Sequence, residues 1–213
     1  MNTPADTLLL IAPGCPHCQS VLHSLSELVK QGAIGRLEVV NIAVHPEIAQ
    51  EVGARSAPWM RIGSFELIGD YTPGELAGWA KKAAAGDAGK DYIRELLEQQ
   101  HLDQAVTYIK KHPEALSQLL VLMQDEDGSL SVKFGIGAIF EALEGTELLK
   151  NLIPELGALT RSEKANIRGD AAHYLGLSHS PEARDWLTPL LDDPQQDVRE
   201  IAADSLALLD EQA

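Results

Sequence analysis

Cys15-Pro16-His17-Cys18 holds both cysteines of a 213-residue chain, at the point where an apolar run gives way to an amphipathic one. That junction restricts what the N-terminal region can fold into. Thr7-Leu8-Leu9-Leu10-Ile11-Ala12 is a short continuous apolar stretch and reads as a buried parallel strand. Pro13-Gly14 breaks it. Val21, Leu22, Leu25, Leu28 and Val29 then recur at helical spacing as far as Gly32. Pro16 suits the first turn of that helix, where a missing N–H costs nothing. A buried strand feeding straight into a helix calls for an α/β layer.

Two thiols in a C-x-x-C at this place can close a disulfide and reopen it, and no other cysteine is present to serve structure. Cys18 precedes Leu22 and Leu25 at helical intervals and is expected on the buried face, with Cys15 at the helix mouth outside it. A Cys15 thiolate there gains from the positive end of the helix dipole and from unpaired backbone N–H groups. Since the thiolate is the nucleophile in exchange, Cys15 is the expected attacker and Cys18 the resolving residue. His17 is a second donor to the Cys15 thiolate, the alternative being a solvent-facing loop residue. Cys15, Cys18 and His17 form the expected catalytic set.

Zinc is the competing use of such a pair. A site within the chain needs two more ligands, and His23, His45, His101, His112, His173 and His179 show no ligand spacing around the cysteines. No metal and no cofactor are therefore expected; a cluster shared between two chains through Cys15 of each is the alternative left open.

Arg36 to Ile42 reads as a second strand, and His45-Pro46-Glu47 begins a short helix ending near Gly53. Arg55-Ser56-Ala57-Pro58-Trp59-Met60-Arg61-Ile62 carries a strand that begins at a proline, followed by the turn Gly63-Ser64 and a strand from Phe65 to Ile68. Thr72-Pro73-Gly74-Glu75 is a capping box that launches a helix through Trp79 to Ala85.

This order of strand, C-x-x-C helix, strand, helix, X-Pro, hairpin and helix resembles the thioredoxin-like superfold in its short, glutaredoxin-sized form, over residues 5–86. The resemblance implies a cis Ala57–Pro58 bond facing the dithiol, with Pro16, Ala57, Pro58 and Trp59 forming the substrate-binding surface. Trp59 reads either as a wall of that groove or as a half-buried strand residue. C-P-H-C is also the tetrad of the DsbA-type oxidants, so the chain resembles them at those four residues. It departs from thioredoxin in two places. Gly14 stands where a Trp precedes the first cysteine, and Leu9 stands where thioredoxins keep a buried acid. Proton transfer is thereby left to water, to His17 or to another group.

Gly86-Asp87-Ala88-Gly89 reads as a flexible link, dividing the chain into a domain of residues 1–86, a linker of 87–90 and an all-α region of 91–213. Asp91 to Gln100 and Leu102 to Lys111 form a first helical pair closed by His112-Pro113. A repeat follows. Val132-Lys133 with Gly137 and Phe140, Ile167-Arg168 with Ala172 and Leu175, and Val198-Arg199 with Ala203 and Leu206 share their offsets. Glu114–Gln124, Leu148–Leu159 and Ala183–Leu191 are the expected outer helices. These segments resemble HEAT-like repeats, which implies a solenoid. The small residues 137, 172 and 203 are expected to let paired helices approach, with Phe140, Leu175 and Leu206 filling the seam. Lys133, Arg168 and Arg199 are expected to form an ionic ladder with acids of neighbouring repeats.

The formal net charge is −15. Residues 1–86 hold six cations and eight anions, and residues 87–213 hold eleven and twenty-four, so the acidity belongs to the repeats. Nucleic acid is disfavoured, because phosphate binding needs a basic face. No apolar run has the length of a membrane span. The N-terminus has neither a cationic region nor an apolar core of signal length, so a cytoplasmic setting is expected.

The expected activity is thiol–disulfide exchange with protein disulfide or thiol substrates recruited by the repeats, with an upstream reductase or glutathione as electron source. The alternative is a redox-gated scaffold or holdase, because the layout also resembles redox-linked holdases that join a thioredoxin-like domain to helical repeats.

Overall fold

The computed structural model describes residues 3–86, 89–125 and 127–211, and it divides between residues 88 and 89 into two compact units. The division falls inside the segment read as a linker. Asp87 and Ala88 lie outside the described residues, while Gly89 and Lys90 already belong to the next helix rather than to a flexible link.

The first unit runs β1 (Ala5–Ile11), α1 (Cys18–Lys30), β2 (Ile34–Asn41), α2 (Pro46–Val52), β3 (Trp59–Ile62), β4 (Phe65–Ile68) and α3 (Pro73–Ala85). Its four strands lie in the order β2-β1-β3-β4. β1 pairs parallel with β2 and antiparallel with β3, and β3 pairs antiparallel with β4. β1 and β3 are thus the interior strands, which is why β1 reads as an almost unbroken apolar run.

Alternation along the strands sorts side chains to two faces. Leu10 and Trp59 are cross-strand partners and share a core with Ala49 of α2, flanked by Leu8, Val40, Ile48, Val52 and Ile68. Leu9 and Met60, the next pair along, point to the opposite face. Both are fully buried. α1 and α3 pack against each other, presenting Val21, Leu25, Leu28, Leu76 and Ala80 as buried residues. α3 starts on the expected capping box. Thr72 accepts from the Glu75 amide, and the Glu75 carboxylate accepts from the Thr72 amide at 2.7 Å.

β1 and β2 each begin two residues earlier and end one residue earlier than the sequence reading, and two further differences bear on the cysteine loop. β3 begins at Trp59, so Arg55–Pro58 is a connecting segment and not part of the strand. α1 begins at Cys18, with His17 at its N-cap, so Pro16 lies in the turn before the helix instead of in its first turn.

The second unit is wholly helical among its described residues: α4 (Gly89–Glu98), α5 (Leu102–Lys111), α6 (Leu116–Met123), α7 (Leu130–Ala142), α8 (Glu147–Lys150), α9 (Ile153–Leu159), α10 (Ala165–Leu177), α11 (Arg184–Leu187) and α12 (Gln196–Glu211). α4 stops two residues before the expected Gln100, which turns left-handed at φ 61° while the His101 amide closes back on Leu96 O at 2.7 Å. None of the expected outer helices is a single α-helix: Glu114–Gln124 opens in a 3₁₀ turn over Pro113–Ala115 before α6 begins at Leu116. Leu148–Leu159 breaks into α8 and α9, and Ala183–Leu191 into α11 and a 3₁₀ turn over Thr188–Asp192. Pro154 and Pro189 each sit at the start of the new segment, where they remove an i→i−4 hydrogen bond and end what precedes.

Of the three small residues expected at helix approaches, Ala172 is fully buried, while the other close approaches fall elsewhere. A Cβ on Gly176 of α10 would lie 2.8 Å from Ser205 Cβ of α12, and one on Gly157 would enter the Trp186 ring. A Cβ on Gly137 would find only the Tyr174 hydroxyl, at 3.7 Å, and Ala203 is exposed. Leu206 is only half-buried; Val198, Ala202, Ser205 and Leu209 face inward instead. Phe140 and Leu175 do fill the seam, Phe140 stacked on Tyr174 with ring centroids 3.9 Å apart. Burial pushes the Tyr174 hydroxyl well above the ordinary tyrosine range.

The ladder is ionic at Arg168, paired with Asp193, whereas Arg199 meets the same aspartate at its backbone carbonyl. Arg168 grips Asp193 with two nitrogens and donates to the carbonyls of Ser162 and Glu163, and Arg199 donates to the Asp193 carbonyl at 2.6 Å. The Arg168 guanidinium beside it, followed by the Gln195 amide, holds the Asp193 carboxyl below the usual range.

Candidate functional site

The sulfurs of Cys15 and Cys18 are joined, with Cα atoms 5.5 Å apart. The loop carrying them is built from β1 outward. Ile11 closes the strand, Gly14 turns left-handed at φ 76°, and the Cys15 amide donates to Ala12 O at 3.3 Å. α1 then starts beneath the second cysteine. Cys18 is 6% exposed and continues the buried stripe of Val21, Leu25 and Leu28; Cys15 is half-buried; Pro16 and His17 are exposed. One sulfur is therefore presented and the other enclosed. The first turn of α1 has no acidic residue and no side-chain cap at its N-terminus, so nothing in the helix itself opposes an anion there.

Ala57–Pro58 is cis, as the resemblance implies. The β1–β3 register runs from Thr7↔Ile62 to Leu10↔Trp59, so Pro58 lies just past the pairing at the end of β1 that leads into the cysteine loop. The carbonyl of Pro58 accepts from the Gly69 amide at 2.9 Å, which fixes the β4–α3 connection beside it. Pro58 is buried and Ala57 half-buried. Trp59 is 1% exposed and belongs to the core under α2, so its indole forms no groove wall.

His17 takes a partner that the sequence did not indicate. Its Nδ1 lies 3.0 Å from Asp70 Oδ2, and both side chains are about half exposed. Nothing local marks Asp70: it reads as an ordinary turn aspartate ahead of a capping box. The sheet topology brings it to the cysteine loop, by returning β4 next to β3 and ending it level with Pro58.

The second unit carries an apolar surface. Leu130 and Phe134 on α7 are 71% and 75% exposed. Phe134 borders a groove shared with Leu97, Leu102, Gly135 and Ala138.

Compared with known families, residues 138–213 match a profile of HEAT repeats, about a third of the chain. HEAT repeats generally mediate contacts between proteins. No curated protein matches the chain. Among the described residues, no helix is long and apolar enough to cross a membrane.

Proposed function

We propose that the first unit is a thioredoxin-like domain performing thiol–disulfide exchange at Cys15 and Cys18, on protein substrates held by the HEAT-like unit. The observation that carries this reading is the asymmetry of the pair: one sulfur half-exposed at a helix N-terminus, the other buried under it. Exchange needs that difference. In the reduced protein the Cys15 thiolate attacks one sulfur of a substrate disulfide, forming a mixed disulfide and expelling the substrate's other sulfur as a thiolate. Cys18 then loses its proton and attacks Cys15. The Cys15–Cys18 bond re-forms and the second substrate thiolate leaves, two electrons having passed from the dithiol to the substrate. An upstream dithiol reductase or glutathione restores the reduced pair, and the reverse sequence oxidises a substrate dithiol.

The strand order and the cis Ala57–Pro58 bond support the fold assignment. With the Pro58 carbonyl already engaged by Gly69, the backbone offered to a bound substrate strand is that of Ala57. Pro16 contributes the exposed rim of the same surface. A cytoplasmic setting fits a pair that rests as the dithiol and passes electrons to particular clients.

The test is a trap. In Cys18→Ala the mixed disulfide cannot resolve, so reductant-sensitive adducts should accumulate and vanish when Cys15 is also replaced. A second reading draws on the exposed Leu130 and Phe134 beside an apolar groove: the repeats act as a scaffold or holdase and the dithiol only gates them. Partners retained equally without Cys15, and never covalently, would establish that reading instead.

A further inference from the structure

The resolving step leaves a chemical problem. Cys18 must give up a proton before it attacks, yet it is 6% exposed on the apolar face of α1, with Val21, Leu25 and Leu28 continuing that face. A buried thiol in apolar surroundings holds its proton more tightly than a free one. The titratable side chain adjoining it in the chain is His17, at the N-cap of the same helix.

An imidazole handles a proton well only when its tautomer and orientation are set, and the hydrogen bond at one ring nitrogen sets them for the other. His17 Nδ1 meets the Asp70 carboxylate at 3.0 Å. A carboxylate can only accept, so Nδ1 carries its hydrogen and Nε2 is left as the nitrogen that exchanges a proton.

A surface pair of this kind has little worth when both side chains are loose. Here the backbone of Asp70 is held on both sides. Gly69 is bonded through its amide to Pro58 O; Tyr71 is 7% exposed; Thr72 is tied into the capping box of α3. The backbone that carries the carboxylate is thus tied to Pro58 on one side and to the start of α3 on the other.

From this arrangement we infer that Asp70 is the positioning residue of the dithiol site, orienting His17 so that Nε2 receives the Cys18 proton during resolution. That proton then passes to the departing substrate thiolate, so no proton is gained or lost by the pair. The arrangement follows the general logic of a nucleophile, a base and a third group that orients the base. It rests on the exchange reading above, and the experiment separates the two.

Ring ¹⁵N shifts of His17 in the neutral imidazole are measured in the wild type, Asp70→Asn and Asp70→Ala. The wild type should show the Nδ1–H tautomer, and Asp70→Ala should lose that preference. Single-turnover resolution of a preformed Cys15 mixed disulfide is then followed in Asp70→Ala, His17→Ala and the double variant. Asp70→Ala should slow resolution by about tenfold, at the lower end of what a positioned acid–base group supplies. The double variant should be no slower than His17→Ala, because the two act as one unit. Unchanged ring shifts in Asp70→Ala, an unchanged resolution rate, or additive losses would each overturn the assignment. A wild type that forms no mixed disulfide would overturn the exchange reading, while the ring shifts would still decide whether Asp70 orients His17.

Discussion

Arg168 reaches both carboxylate oxygens of Asp193, Nε to Oδ2 at 2.6 Å and Nη2 to Oδ1 at 2.8 Å, across 25 residues of sequence. The Asp193 side chain is 4% exposed and that of Arg168 11%. The paired charges are therefore enclosed, and each depends on the other. The same aspartate accepts from the Gln195 amide through its side chain and from Arg199 through its carbonyl, so one residue joins α10 to the start of α12.

Asp193→Ala should destabilise the repeat unit by about 3 kcal/mol, since it leaves the Arg168 guanidinium buried without its counter-charge. Urea unfolding followed by circular dichroism measures this. A loss below about 1 kcal/mol would mean that the pair behaves as an exposed surface bridge.

The same contact predicts a pH dependence. The Asp193 carboxyl is held below its ordinary value in the folded state, so its contribution is fully present above the unfolded value of about 4. It is lost as pH falls through the folded value. The stability difference between wild type and Asp193→Asn should therefore stay constant from neutral pH to about pH 4 and narrow below it. A difference that widens on acidification would contradict the assignment.

Gly157→Ala tests helix approach in the repeat unit. Alanine gains about 1 kcal/mol over glycine in a helix interior. At Gly157 the added methyl would run into the Trp186 ring, and overpacking of this kind costs about 1–3 kcal/mol. A large, flat ring against helix backbone has little room to yield, so net destabilisation is expected, read as a lower thermal midpoint. A stabilised variant would show that Trp186 can move aside.

In the first unit, Thr72→Ala removes the acceptor for the Glu75 amide and should cost about 1 kcal/mol. The substitution lies two residues from Asp70, so it should also loosen the His17–Asp70 pair; ring shifts of His17 report that directly. Cap loss with no change at His17 would show that the Gly69–Pro58 bond alone holds the connection.

Exchange itself should depend steeply on Cys15. On the exchange reading, Cys15→Ser should abolish mixed-disulfide formation, whereas Cys18→Ala should retain attack and stall afterwards, because half-buried Cys15 is the more accessible of the two. Mass spectrometry of adducts with a small aromatic disulfide distinguishes the two. Equal reactivity of the two single variants would refute the division of roles.

Much of the fold is legible in local sequence, and the reasons are physical. β1 announces itself because an interior strand is apolar on both faces, α1 because Val21, Leu25 and Leu28 repeat at the helical period, and α3 because Thr72 and Glu75 complete a capping box within one turn. The exposure of Cys15 against Cys18 follows from the same periodicity. These are signals written within a few residues of one another, where backbone geometry alone relates sequence to position.

What tertiary structure decided involves residues far apart in the chain. Trp59 looks like a groove residue beside Pro58 and is a core residue, because pairing with Leu10 turns it under α2. The helix seams use Gly157 and Gly176 where the repeat pattern points to 137 and 203, since interhelical approach depends on rotation about each axis as well as spacing along it. Asp70 meets His17 across 53 residues, through a sheet order that returns β4 to the cysteine loop. Local sequence determined which elements form and which sulfur is enclosed. Packing, which satisfies distant side chains together, decided what surrounds that sulfur pair.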